Sequence, residues 1–280
     1  HGIGRRQRQM CIRDRDQANA LVTGAMLAAK PVEDPHLTAA VGFTPSCLQP
    51  WLACAPLVPS LLSKDRREAM QGYEPGKAIA AALDRTQMEE RHVLDRAQYV
   101  WIKTMLEGQI LTWGGDRVDM ANSMEARPPF LDHHLAAVAV QVPPELRIKD
   151  QREKHVLREA VAGLLPERLY HREKFAFMAP PAHADDDKLQ KLDQLVQAHL
   201  SQEAIEACGL LDPEGVQELL KRHRSAETPA HERVQLDAMV NHLLGVQILH
   251  KLFVQTDVPA QAQQAADARG WHVRETAQVF

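Results

Sequence analysis

Gly114-Gly115-Asp116-Arg117-Val118-Asp119-Met120-Ala121-Asn122-Ser123-Met124-Glu125-Ala126-Arg127-Pro128-Pro129-Phe130-Leu131 is the stretch around which the chain is organised. Asp116, Arg117, Asp119, Glu125 and Arg127 alternate there with Met120, Ala121 and Met124. Helix-ending residues stand at both borders, Gly114–Gly115 before and Pro128–Pro129 after. Charges of both signs in a semi-apolar segment are either paired with one another or turned toward a ligand. Composition alone leaves both readings open, because structural ion-pair networks resemble active sites.

The surroundings of this stretch are those of an ordinary globular protein. The 280 residues suffice for one large domain or two smaller ones, and 45% hydrophobic with 25% charged residues fits a packed core. A formal net charge of -4 argues against non-specific nucleic-acid binding, which draws on a basic face. No apolar run reaches membrane-spanning length. Cys11, Cys47, Cys54 and Cys208 lack zinc-ligand or disulfide-framework spacing, so reduced thiols in a cytoplasm fit best. Aromatics at 5% and few β-branched runs point to a mainly helical chain.

N-terminal to the stretch, residues 1–15 are rich in Arg and Gln without an apolar face or a secretory core. Met10-Cys11-Ile12-Arg13-Asp14-Arg15 looks like the in-frame translation of a transposon end used in preparing sequencing libraries. Residues 1–15 are therefore expected to be a non-native leader, the alternative being a basic tail. Ala18, Leu21, Val22, Ala25, Met26 and Ala29 form a helical stripe that stops at Pro31. Six prolines between Pro31 and Pro59 forbid long helices and leave room for one piece around Leu48–Ala55. Ser63 opens a short polar helix that ends near Gly72. Residues 86–112 read as the first long helix, with Leu94, Ala97, Trp101 and Met105 on one face, carrying the central stretch into the core.

C-terminal to it, Asp132 is placed to cap a helix whose Leu135, Val138, Ala139 and Val142 point inward. His133 and His134, about 100° apart on a helix, cannot chelate a metal together. Glu153–Leu165 reads as a helix with Val156, Leu157, Ala160, Val161 and Leu164 inward, stopped by Pro166. Arg152 and Lys154 at its start oppose the macrodipole, so an anionic partner or a solvated face is expected there. His171–Pro181 is irregular. A helix from Asp185–Asp187 buries Leu189, Leu192, Val196 and Leu200, Asp212-Pro213-Glu214 is a strong helix start, and Thr228-Pro229 repeats the device. The next helix, with Leu236, Met239, Val240, Leu243, Leu244, Ile248 and Leu249, is apolar enough to be central. Residues 255–280 read as a flexible tail.

Asp116 to His133 resembles the "DRxxMAxSxExRxPFLDH" signature of glutamine-hydrolysing asparagine synthetases. Asp119 departs from it, because Ser is common there in the family. Val142-Pro143-Pro144-Glu145-Leu146 resembles the family's "LPPELK" segment. Glu153-Lys154-His155-Val156-Leu157-Arg158 is similar to its "xKxxLR" helix, and Leu165-Pro166-Glu167 to its "LLPE" stop. Lys174–Pro181 and Leu243–Val254 resemble one bacterial branch. The likeness runs over residues 16–254.

The resemblance implies a two-domain enzyme, an N-terminal glutaminase followed by a synthetase. The synthetase has an α/β adenine nucleotide α-hydrolase-like fold of the PP-loop ATP pyrophosphatase type. In that fold ATP, with magnesium, activates the side chain of aspartate as an acyl-adenylate. Ammonia from glutamine then displaces AMP to give asparagine. Neither the "SGGxDS" PP-loop nor the acidic "GEGxDE" loop occurs in these residues. The chain is thus expected to be the helical C-terminal part of the synthetase domain. It would be inactive alone, missing the glutaminase domain and PP-loop portion, and would leave uncovered the apolar face that packs on the sheet.

By the same resemblance Lys154 is the catalytic candidate, contacting pyrophosphate and the reacting centre. Asp116 and Arg117 line the pocket, and Glu125 and Arg127 pair behind it as further substrate-binding candidates. No residue is expected to bind metal, and a homodimer is an admitted assembly. Two other readings stand beside this one: a related adenylating enzyme with another acceptor, similar to β-lactam synthetases, and a helical module without catalysis.

Overall fold

The computed structural model describes residues 31–150, 152–172 and 186–271. The leader, the helix expected from Asp16 and the Lys174–Pro181 loop lie outside the described residues. The chain divides into two compact units, one made of residues up to 55 with 72–179, the other of 56–71 with 180–280. The described residues are mostly helical, as composition indicates, and their one sheet is a two-stranded hairpin.

In the first unit α1 (Pro35–Val41), α2 (Gln49–Cys54) and α5 (Pro75–Ala82) are short because prolines punctuate them. Each carries Pro in its first turn, where the missing N–H costs nothing. Asp34 caps α1, its Oδ1 accepting from Leu37 N at 2.9 Å. Gly76 permits α5 to lie against that cap, since a Cβ there would stand 1.9 Å from Asp34 Oδ2. Leu37, Val41, Leu48, Leu52, Leu83, Met88 and Val100 form the core. Val100 comes from α6 (Val93–Trp101), which continues as a π-helical segment, Ile102–Asp116, and then α7, Arg117–Ala121.

Two expectations are corrected here. Gly114 and Gly115 do not end a helix but lie inside the π-helical segment. Trp101, expected on the inward stripe, is exposed, and neighbouring Val100 is the buried residue. Beyond it the chain carries α8 (His133–Ala139), α9 (Pro144–Arg147), the hairpin β1 (Ile148–Lys149) and β2 (Arg152–Glu153), α10 (His155–Ala160) and α11 (Glu167–Tyr170). In the hairpin Ile148 pairs with Glu153 and Lys149 with Arg152.

No described residue between Trp101 and Arg172 is buried. The central stretch is therefore on the surface, not in the core. Leu135, Val138, Val156, Leu157 and Leu164, expected to face inward, are exposed as well. Their spacing is amphipathic, but nothing among the described residues covers them.

The second unit begins with α3 (Val58–Leu61) and α4 (Lys64–Ala69), and continues with α12 (Asp186–His199), α13 (Gln202–Cys208), α14 (Pro213–Arg224), α15 (Ala230–His250) and α16 (Val258–Ala268). Here the sequence pattern holds. Leu192, Val196 and Leu200 are buried from the α12 region, and Leu236, Met239, Val240, Leu243 and Leu244 from α15; Leu249 is exposed. Asp212 caps α14, its Oδ2 accepting from Gly215 N at 2.8 Å. A Cβ on Gly215 would meet Ser60 O at 1.9 Å, so only glycine lets α14 approach α3 this closely. Thr228 does not cap α15; its hydroxyl donates to Arg222 O at 2.6 Å. His223 and Asp237 are buried and bonded, Nε2 to Oδ1, at 2.6 Å. Within the expected tail Asp257 starts α16, accepting from Ala260 N at 3.0 Å.

Candidate active site

Each candidate side chain is set by its own local backbone. Asp116 closes the π-helical segment and Arg117 opens α7, both exposed and without a side-chain partner among the described residues. After α7 the chain turns at Ser123, whose φ of 56° is left-handed, and Met124 N donates to Asp119 O at 2.9 Å. This turn sends Met124–Arg127 away from the helix axis. Arg127 Nε donates to Glu125 Oε1 at 2.7 Å, the pairing expected of these two. Being exposed, the pair shapes the loop more than it stabilises the fold. Asp132 ends the stretch as a cap, accepting from His134 N at 2.9 Å and Leu135 N at 3.1 Å.

Lys154 stands where β2 gives way to α10. The expected helix from Glu153 to Leu165 is instead a strand end, α10 and a turn, so Lys154 is the residue preceding α10 and not part of its first turn. Its φ of 58° and ψ of 36° are left-handed. A lysine pays about 1 kcal/mol or more for that conformation, which persists only where neighbours impose it. Its ammonium is exposed and has no hydrogen-bond or ion-pair partner among the described residues. A free, backbone-fixed cation is chemically suited to a phosphate or carboxylate.

Arg147 and Arg158, which the sequence reading did not single out, hold this region together with Arg152, for which an anionic partner or a solvated face is expected. Arg147 reaches α6, bonding Asp95 and Gln98. Arg158 donates to the carbonyls of Glu153, Tyr170 and Arg172. Arg152 lies over the Tyr170 ring, 6.0 Å from its centroid. Arg158 stood inside a quoted motif, but its acceptors are backbone atoms, which no sequence pattern displays.

Neither of two shallow cavities contains the candidates. One in the first unit, about 360 Å³, is lined by Arg85, Met88, Arg91 and Arg96 among others; one in the second, about 330 Å³, lies beside Arg222 and Glu232. No bond joins Lys154 to Asp116, Arg117, Glu125 or Arg127 among the described residues, so these are separate surface groups of one unit. Lys154 and Arg117 fit the phosphates of ATP by charge. The described residues gather no cluster of three or more His, Cys, Asp or Glu that could hold a metal.

The asparagine synthase family model matches residues 9–251. The chain belongs to the asparagine synthase family. The match begins within the segment read as a leader. Amidase chyE of Penicillium rubens is 36% identical over 145 residues, 49% of this chain and 21% of that protein. Asparagine synthetase (glutamine-hydrolyzing) 1 of Bacillus subtilis is 41% identical over 90 residues, 32% of this chain and 14% of its own length. The rat asparagine synthetase (glutamine-hydrolyzing) is 46% identical over 65 residues, 22% of this chain and 12% of its own length. The matched region thus spans about a fifth or less of these asparagine synthase relatives. No solved structure matches the chain significantly.

Proposed function

We propose that the chain forms one wall of an ATP-dependent, amide-forming synthetase of the α/β PP-loop type. In the reaction proposed, a carboxylate oxygen of aspartate attacks the α-phosphorus of ATP and pyrophosphate leaves. Ammonia released from glutamine then attacks the acyl carbon, AMP leaves, and asparagine is formed. Lys154 would meet the charge that develops on the phosphates, where a preorganised cation acts most strongly. Asp116 and Arg117 would border the substrate, with the Glu125–Arg127 pair holding the loop beside them. The observation that carries the reading is Lys154 itself: exposed, unpaired and fixed in a left-handed backbone, within a family match that covers most of the chain.

PP-loop and acidic magnesium loop are absent from the 280 residues, so catalysis is proposed to need a polypeptide portion that supplies them. No helix among the described residues is long and apolar enough to cross a membrane. Cys47, Cys54 and Cys208 are free thiols, which supports a reducing, cytoplasmic setting. In a second reading the acceptor is a carboxylate other than aspartate.

The test is ATP–pyrophosphate exchange with aspartate and magnesium. The chain alone should give none. A chimera in which this chain replaces the matching stretch of the Bacillus subtilis synthetase should restore exchange. Clear exchange by the chain alone would refute the one-wall reading, and exchange driven only by other carboxylates would select the second.

A further inference from the structure

We infer that Arg158 is a positioning residue for Lys154, an inference that rests on the proposed role of Lys154 at the reacting phosphates. Arg158 grips Lys154 from both sides. Its Nε donates to Glu153 O at 3.2 Å, fixing the peptide plane that enters Lys154, and its backbone N donates to Lys154 O at 2.9 Å. The same guanidinium donates Nη1 to Tyr170 O at 2.8 Å and Nη2 to Arg172 O at 3.3 Å. One planar fork thus ties the end of β2 to the chain leaving α11. A lysine, with a compact ammonium, cannot span three carbonyls at those directions.

These bonds flank a residue whose φ is 58° and left-handed. With the planes on either side held, the side chain leaves the backbone in one direction, although no described residue from Trp101 to Arg172 is buried. The acceptors are neutral carbonyls, and no carboxylate pairs with Arg158 among the described residues. Its charge therefore adds to that of Lys154 in drawing an anion.

The experiment uses the full chain as wild type, R158K and R158Q, with K154Q as a control. Amide exchange is read at residues 152–156 and 170–172. Acylation of Lys154 is followed by mass spectrometry with and without inorganic pyrophosphate, against Lys64 and Lys77 as references. In R158Q both segments should exchange about tenfold faster while α14 and α15 keep their protection. Pyrophosphate should protect Lys154 in the wild type, and the protection should fall about tenfold in R158Q without rescue in R158K.

Faster exchange with protection of Lys154 retained would mean a merely structural arginine and overturn the inference alone. Unchanged exchange in both variants would overturn it too. Absence of protection in the wild type would remove the phosphate role of Lys154 and this inference with it.

Discussion

The function proposed for Lys154 falls on a residue with a left-handed backbone. Glycine adopts the left-handed backbone freely, so Lys154→Gly should leave stability unchanged or raise it by up to about 1 kcal/mol, as urea unfolding would check. Residues Glu125 and Arg127 behave differently. Their exposed pair should cost less than about 1 kcal/mol when Arg127 becomes Ala, read in the same assay. Burial raises the pKa of the Cys47 and Cys54 thiols above the ordinary value. Less thiolate is then present at pH 8, so both should alkylate more slowly than a free thiol and speed up as pH rises; mass spectrometry of iodoacetamide adducts checks this.

At the scale of elements, caps were the most legible signals in the sequence. Asp132 and Asp212 were read as caps and are caps, because the signal is local and needs nothing beyond the next three residues. Asp212→Ala should cost α14 about 1 kcal/mol. Gly215→Ala should cost about 1–3 kcal/mol more directly, through the Ser60 carbonyl it would strike; thermal unfolding compares the two. The stripes of α12 and α15 were legible because the helices that bury them lie nearby in the same unit. The hairpin around Asp150 was not, since strands of two residues carry no periodicity. Nor was the register past Trp101, where a π-helical pitch replaces the one that pattern reading assumes.

Across the whole molecule, the sequence told which residues seek burial but not whether a partner is present. The amphipathic pattern of α8 and α10 is intact, yet Leu135 is 41%, Val138 62% and Val156 41% exposed, as are Val140 and Leu164 just beyond the two helices. Apolar side chains exposed to this extent favour association where they adjoin one another. Val140→Glu with Leu164→Glu should raise solubility and lower binding of an apolar dye, with less than about 0.5 kcal/mol change in stability, since neither side chain packs in a core. The candidate site rests on the resemblance. Likeness to the family motif marks Asp116, Arg117 and Lys154, whereas the left-handed backbone at Lys154 and the hydrogen bonds of Arg158 exist only in three dimensions.

The central claim is that Lys154 supplies a preorganised cation to adenylation on a shared site. The most direct measurement is ATP–pyrophosphate exchange by the Bacillus subtilis chimera carrying Lys154→Met. Exchange should fall by about a hundredfold or more with the folded state intact. Exchange equal to that of the unsubstituted chimera would contradict the account.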